Sequence, residues 1–262
     1  MKNTFKKVAL VAAEEAGNIL RRHFGKVKDI GFKGRIDIVT DVDRRSEDKV
    51  VSILRKHFPD HGILAEEGNE IKSDSPYKWL IDPLDGTTNY AHSYPIFCVS
   101  IALEYKGVII LGVVYNPVMD ELFTAEKGKG AYFNKKRIRV SKINKLQRSL
   151  LVTGFPYAIL KKSKVVFKIF ELFSLNCQGI RRDGSAALNL CYTACGRFEG
   201  FWESELNPWD TAAGYLIAKE AGAVITDYAR KPFSCYKNEI LASNGRIHKA
   251  MIGIIRKGSK AG

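Results

Sequence analysis

WLIDPLDGTTNYAH, residues 79–92, places two aspartates, a proline, a glycine and two threonines behind an apolar approach. Trp79, Leu80 and Ile81 read as a short buried strand, because a brief apolar run bounded by turn formers is the pattern of a strand with both faces covered. The carboxylates of Asp82 and Asp85 therefore sit at a strand end. Pro83 fixes its own φ and pushes Asp82 towards extended geometry, so both side chains leave a stiffened turn. Gly86 and Thr87 follow where a helix is expected to start, with backbone N–H groups that have no partner inside the helix. An Asp-Pro turn that merely caps a helix has the same local pattern, and the rest of the chain has to separate the two readings.

At 262 residues, 45% of them hydrophobic, the chain can fill one large domain or two closely joined ones. No stretch approaches the roughly 20 apolar residues of a membrane span. Glu14 and Glu15 arrive too soon for a signal peptide, so a cytoplasmic location is expected. Cys98, Cys177, Cys191, Cys195 and Cys235 form an odd, scattered set without a CxxC pair, which argues against a disulfide framework or structural zinc. Cys191 and Cys195 share a helical face, but no further soft ligand stands near them. The net charge of +14 attracts anions. It suits phosphate-bearing partners, and it is equally compatible with RNA or with a solvated lysine-rich surface. The basic clusters, Lys6-Lys7, Lys135 to Arg139 and Lys161 to Lys164, are short and lack the interleaved aromatics of a single-strand stacking platform.

Apolar residues at three- and four-residue spacing predict helices over 4–24 and 40–58, joined by the charged connector KGRIDIVTDVD. Segments 95–105, 108–115, 121–125 and 131–140 read as the strands of a meander. From about residue 146 strands and helices alternate: LLVTGFP, a helix near 161–174, GIRR, a helix from Ser185 to Cys195, FEGFWES, a helix from Thr211 to Ala221, then AVITD. The expected organisation is an N-terminal α+β half (residues 1–145) and a C-terminal α/β half (146–262) forming one compact unit. The tail from Arg256 to Gly262 is expected to fray.

Further carboxylates follow apolar strands or open helices: Asp41, Glu66 and Glu67 after GILA, and Asp210 in ELNPWDTAAG. Magnesium takes oxygen ligands, keeps several waters and is held by a few carboxylates with substrate phosphate completing its sphere. Two such ions about 4 Å apart can activate a water and stabilise a leaving oxygen together. Taken singly, Asp41 and Asp210 also read as helix caps.

The stretch 79–92 closely resembles the first signature of the inositol monophosphatase family, and WDTAAGYLIAKEAGA (209–223) resembles its second. VTDVD (39–43), AEEG (65–68) and RRDGSAALNLCYTACGRFEGFWE (181–203) fall in the family's order and at similar separations, so the resemblance covers nearly the whole chain. It implies a layered α/β/α/β/α sugar-phosphatase fold shared with fructose-1,6-bisphosphatase, a homodimer, and magnesium-dependent, lithium-sensitive hydrolysis of a small phosphate monoester. Carried over by position, it makes Glu66, Asp82 and the Leu84 carbonyl ligands of one magnesium, and Asp82, Asp85 and Asp210 ligands of a second. Thr87 pairs with Asp41 to orient and deprotonate the attacking water, and Glu67 supports a third, loosely held ion. The amides of Gly86 and Thr87 cradle the phosphate. Gly184, Ser185 and Ala186, with Arg181 and Glu203 beside them, contact the alcohol part of the substrate, although Gly184 also reads as a plain turn residue before a helix.

Substrate identity is carried by loops. The segments RRDGSAALN and TGFPY look like the bacterial inositol-phosphatase branch, which favours inositol 1-phosphate; fructose 1,6-bisphosphate, NADP, phosphoadenosine phosphate and histidinol phosphate are the alternatives. A reading of another class, motivated by charge, is a binding module for RNA or a transcription complex.

Overall fold

The computed structural model of the chain describes residues 2–26, 30–32, 38–156 and 159–261. Helix α1 (Lys2–His23) leads into short strands β1 (Ile30–Phe32) and β2 (Ile38–Thr40), and then helix α2 (Asp41–His57). Next come β3 (Gly62–Ala65), β4 (Tyr77–Asp85), the short helix α3 (Thr87–Ala91), β5 (Cys98–Tyr105), β6 (Val108–Asn116), β7 (Glu121–Glu126), β8 (Ala131–Phe133) and β9 (Lys136–Ile138). Strands β3 to β9 form one sheet in chain order, with β3 and β4 parallel and each later pair antiparallel. The remaining elements are β10 (Leu150–Thr153), α4 (Ile159–Ser174), β11 (Gly179–Arg181), α5 (Ala186–Ala194), β12 (Gly200–Ser204), α6 (Pro208–Glu220), β13 (Val224–Thr226), β14 (Glu239–Ser243) and α7 (His248–Ala261). They supply a five-stranded sheet in the order β11-β10-β12-β14-β13.

Strand alternation decides which side chains meet which layer. In β4, Trp79 and Ile81 join the core beneath α1 and α2, while Leu80 faces the core filled by α5 and α6. In β12, Phe201 reaches that same central core and Trp202 turns to the opposite face, against α4 and α7. Each sheet is thus covered on both faces, which explains why its strands are apolar runs. The stack is α1/α2, seven-stranded sheet, α5/α6, five-stranded sheet, α4/α7: the five-layered fold expected from the sequence.

The five-stranded sheet is mixed, since β14 pairs antiparallel with both β12 and β13. Two expectations need correction. The segment 131–140 is two strands, because Asn134 and Lys135 take left-handed φ values of 43° and 67° and turn the chain. The tail does not fray: α7 runs to Ala261, with Met251, Ile252 and Ile255 buried. Residues 33–37 of the connector and Tyr157 of TGFPY lie outside the described residues. No helix among the described residues is long and apolar enough to cross a membrane.

Candidate active site

Helix α2 holds the turn at the end of β4. Ser46 Oγ donates to the Pro83 carbonyl at 2.9 Å. The next residue of the helix, Glu47, is also buried and accepts the amides of Glu67 (2.7 Å) and Asn69 (3.1 Å), which fixes the loop carrying Glu66 to the same helix. Within the turn, Asp82 Oδ1 accepts the Leu84 amide at 3.0 Å and closes a side-chain turn over Pro83.

Asp43, the third residue of α2, divides its two oxygens. Oδ2 accepts the Thr40 amide at 2.8 Å and the Thr40 hydroxyl at 2.5 Å, capping the helix, while Oδ1 lies 3.1 Å from Thr87 Oγ1. The Thr87 hydroxyl is also 3.0 Å from the Leu84 carbonyl, so its single proton goes to one of the two acceptors at a time. Asp41, the partner expected for Thr87, stands two residues earlier. Two residues rotate a helical side chain by about 200°, and the Asp41 side chain is 61% exposed with Arg45 at 3.4 Å. The partner of Thr87 is therefore Asp43. The spacing Thr40-x-x-Asp43 matches a capping box and is the sequence signal that distinguishes the two aspartates.

Asp85 ends at the start of α5. Its Oδ2 accepts the Ser185 hydroxyl (2.6 Å) and the Ala187 amide (2.7 Å), and Oδ1 accepts the Ala186 amide at 3.3 Å. Ser185, expected to touch substrate, is instead a buried N-cap: its hydroxyl donates to Asp85 and accepts from the Leu188 amide. Asn89 Nδ2 ties α3 to this corner by donating to the carbonyls of Ile96 (2.7 Å) and Asp183 (2.6 Å). Gly86 opens α3 with φ 97°, and a Cβ there would lie 2.9 Å from the Ile96 carbonyl and 3.3 Å from that of Gly184, so only glycine fits.

Asp210 is the third residue of α6, with Oδ2 accepting the Asn207 amide at 2.7 Å, so it caps its helix and still lines the cleft. Glu203, at the end of β12, packs against Gly154, where any Cβ would collide with its carboxylate. Among the described residues the cleft is lined by Glu66, Asp82, Asp85, Glu203, Glu205 and Asp210 against one cation, Arg182. The backbones of Leu84, Gly86, Gly184 and Ala186 complete the wall beside Thr87. Arg181 is exposed on β11, its guanidinium on the neighbouring Ile180 carbonyl, so the arginine at the cleft is Arg182. Glu67 stands outside the lining, and its charge is felt by Asp43. Asp43, Glu47, Asn89, Gly154 and Arg182 build or line the cleft, and the sequence reading gave them no role there.

Among the described residues this concentration of carboxylates faces a single guanidinium. Burial and then the charges of Glu66, Asp85 and Asp210 push the Asp82 carboxyl well above the usual range. Asp210 is raised strongly by burial and then by Glu66. Burial lifts Asp85 to about 6 against the hydrogen bonds from Ser185, Ala187 and Ala186, which pull it down. Burial, followed by the Asp85 charge, takes Glu203 up to about 8, and burial takes Asp43 to about 6. Hard oxygen donors carrying excess negative charge fit divalent cations such as magnesium. The fit is one of donor chemistry: among the described residues no three His, Cys, Asp or Glu side chains already close into a cage.

The model of the inositol monophosphatase family matches residues 1–260. An inositol-1-monophosphatase from Synechocystis is 45% identical over 250 residues, covering 95% of this chain and 87% of that protein. The Nus factor SuhB of Vibrio cholerae is 43% identical over 253 residues, covering 95% of each. The crystal structure of the extragenic suppressor protein SuhB from Bartonella henselae superposes with a TM-score of 0.94 at 42% identity, covering 97% of this chain and 99% of that one. The chain belongs to the inositol monophosphatase family, a family of phosphatases.

Proposed function

We propose that the protein is a magnesium-dependent phosphatase that hydrolyses inositol 1-phosphate to inositol and phosphate, acting as a cytoplasmic homodimer. The observation that carries this reading is the Asp43–Thr87 pair, 3.1 Å apart, beside a cleft walled by carboxylates. Glu66, Asp82 and the Leu84 carbonyl would hold one magnesium, and Asp82, Asp85 and Asp210 a second; Glu67 has less support as a ligand because it stands outside the lining. When bound, the ions supply positive charge for the phosphate and lower the pKa of a water.

The chain supplies the rest. Thr87 accepts a proton from the attacking water while passing its own to Asp43, whose pKa of about 6 leaves it ionised and able to receive that proton near neutral pH. The amides at Gly86 and Thr87 face the phosphate at the start of α3, and Glu203 and Arg182 offer an acceptor and donors to the alcohol part. Support for a dimer comes from Phe167 (50% exposed) and Leu175 (73% exposed) on and just beyond α4, beside the open edge strand β11.

Phosphate release from a panel of inositol 1-phosphate, fructose 1,6-bisphosphate, NADP, phosphoadenosine phosphate and histidinol phosphate, with and without magnesium and lithium, tests the reading. Magnesium-dependent, lithium-inhibited turnover favouring inositol 1-phosphate is expected. Preference for another compound would move the substrate, and silence across the panel would remove the activity.

A second reading, association with RNA or a transcription complex, is favoured by the net charge of +14 and by the relatives named Nus factor. It predicts RNA affinity that falls steeply with salt and survives loss of Asp85. No RNA binding at low salt would end it.

A further inference from the structure

Strand β4 begins at Tyr77 and ends at Asp85, so at about 3.3 Å per residue its two ends lie roughly 26 Å apart. At the Tyr77 end a second concavity of about 450 Å³ opens between the start of α1 and the near ends of β5, β6 and β7. Its size is that of a small-ligand pocket. Its floor is aromatic: Tyr77 lies 4.7 Å from Tyr105 and 5.3 Å from Phe5, centroid to centroid. All three rings are only half-buried. Among the described residues neither phenol hydroxyl has a hydrogen-bond partner.

The rim is charged. Lys6, Lys127 and Lys129 border the pocket with one carboxylate, Glu126, which lies 2.7 Å from Lys129 and 3.8 Å from Lys6. Three ammonium groups around one carboxylate leave two positive charges, the complement of a phosphate monoester, which carries about −1.5 to −2 at neutral pH. A lysine rim alone is an ordinary solvated surface; the half-open aromatic floor beneath it is not. Aromatic surface, a carboxylate able to accept from vicinal hydroxyls, and excess ammonium charge are the three chemistries needed for base, ribose and phosphate.

We propose that this pocket binds a nucleoside monophosphate, its base on Tyr105 beside Tyr77, whose own ring stacks on His61 at 4.7 Å, its ribose hydroxyls on Glu126 and its phosphate on Lys127 and Lys129. The site is separate from the cleft and stands whether or not the catalytic reading holds.

Isothermal titration with adenosine 5′-monophosphate in EDTA tests it, because the magnesium-free cleft, six carboxylates against one arginine, repels phosphate. One site per chain is expected. Adenosine and ribose 5-phosphate should each bind about tenfold more weakly or worse, since each lacks one of the two main contacts. Replacing the exposed pair, Lys127→Ala with Lys129→Ala, should weaken binding by about tenfold or more. Asp210→Asn should leave the affinity unchanged. The proposal is overturned if no heat appears up to millimolar nucleotide or if ribose 5-phosphate equals the nucleotide. It is equally overturned if the double variant binds as the unaltered protein does, or if Asp210→Asn changes the affinity and so puts the ligand in the cleft.

Discussion

In the proposed mechanism Thr87 and Asp43 divide one proton-transfer task. A hydroxyl is too weak a base to act alone, and a carboxylate held by its helix cap reaches the site through that hydroxyl. Thr87→Ala should therefore lower kcat by about 10²- to 10⁴-fold with KM changed only a few-fold. Steady-state kinetics on inositol 1-phosphate would show it, and a loss confined to KM would refute the relay. Asp85→Asn should abolish most turnover by removing one ligand charge. It should also cost about 1–3 kcal/mol in urea unfolding, because an amide NH₂ would face the donors of Ser185, Ala186 or Ala187. Full turnover in this variant would dismiss Asp85 as a ligand. The residue types were legible from the sequence, whereas the choice between Asp41 and Asp43 turns on the capping-box spacing from Thr40, a signal the sequence reading left unused. The choice depends on where α2 starts and hence on which aspartate faces β4. Arg181 and Arg182 posed the same problem at the end of β11, where Arg181 is the last strand residue and Arg182 the first beyond it.

Three helix starts carry the chemistry. Asp43 and Asp210 are third residues of α2 and α6 and cap them with one oxygen, while Asp85 arrives from β4 to sit on the first amides of α5. The capping reading of Asp210 is therefore borne out, and the cap still leaves its carboxylate on the cleft wall. Ser185→Ala should lower stability by about 1 kcal/mol through the lost cap. It should also reduce turnover, less than Asp85→Asn does, because Asp85 loses its 2.6 Å donor; Ser185→Thr should restore both. Turnover unchanged alongside lower stability would reduce Ser185 to a cap. Elements with strong periodicity, such as α1, α2 and the β5 to β7 meander, were readable locally. Helix α7 was not, because Gly253 and Gly258 look like breakers. Gly258 is there for a long-range reason: a Cβ would lie 2.5 Å from Ile169 Cγ1 on α4, a closeness that no local pattern records.

Over the whole molecule the charge is +14, yet the cleft gathers six acidic side chains around one arginine. On the proposed function, the surface would draw anionic substrates in and the cleft would repel them until cations neutralise it. Asp43 at about 6 and Glu203 at about 8 lie above their unfolded values, so between roughly pH 4 and 8 the folded chain binds more protons than the unfolded one. That stabilisation is complete at the acid end of the window and is lost as pH rises through it. The metal-free protein should consequently melt higher at about pH 5.5 than at about pH 8.5, with magnesium narrowing the gap; a Tm in EDTA that rises with pH would contradict this. The most direct test of phosphatase chemistry at this cleft is phosphate release from inositol 1-phosphate against magnesium concentration, run on the unaltered protein, Asp41→Asn and Asp43→Asn. The expected result is turnover that requires magnesium, is nearly unchanged in Asp41→Asn and falls about 100-fold or more in Asp43→Asn. Turnover independent of magnesium, or full activity in Asp43→Asn, would contradict it.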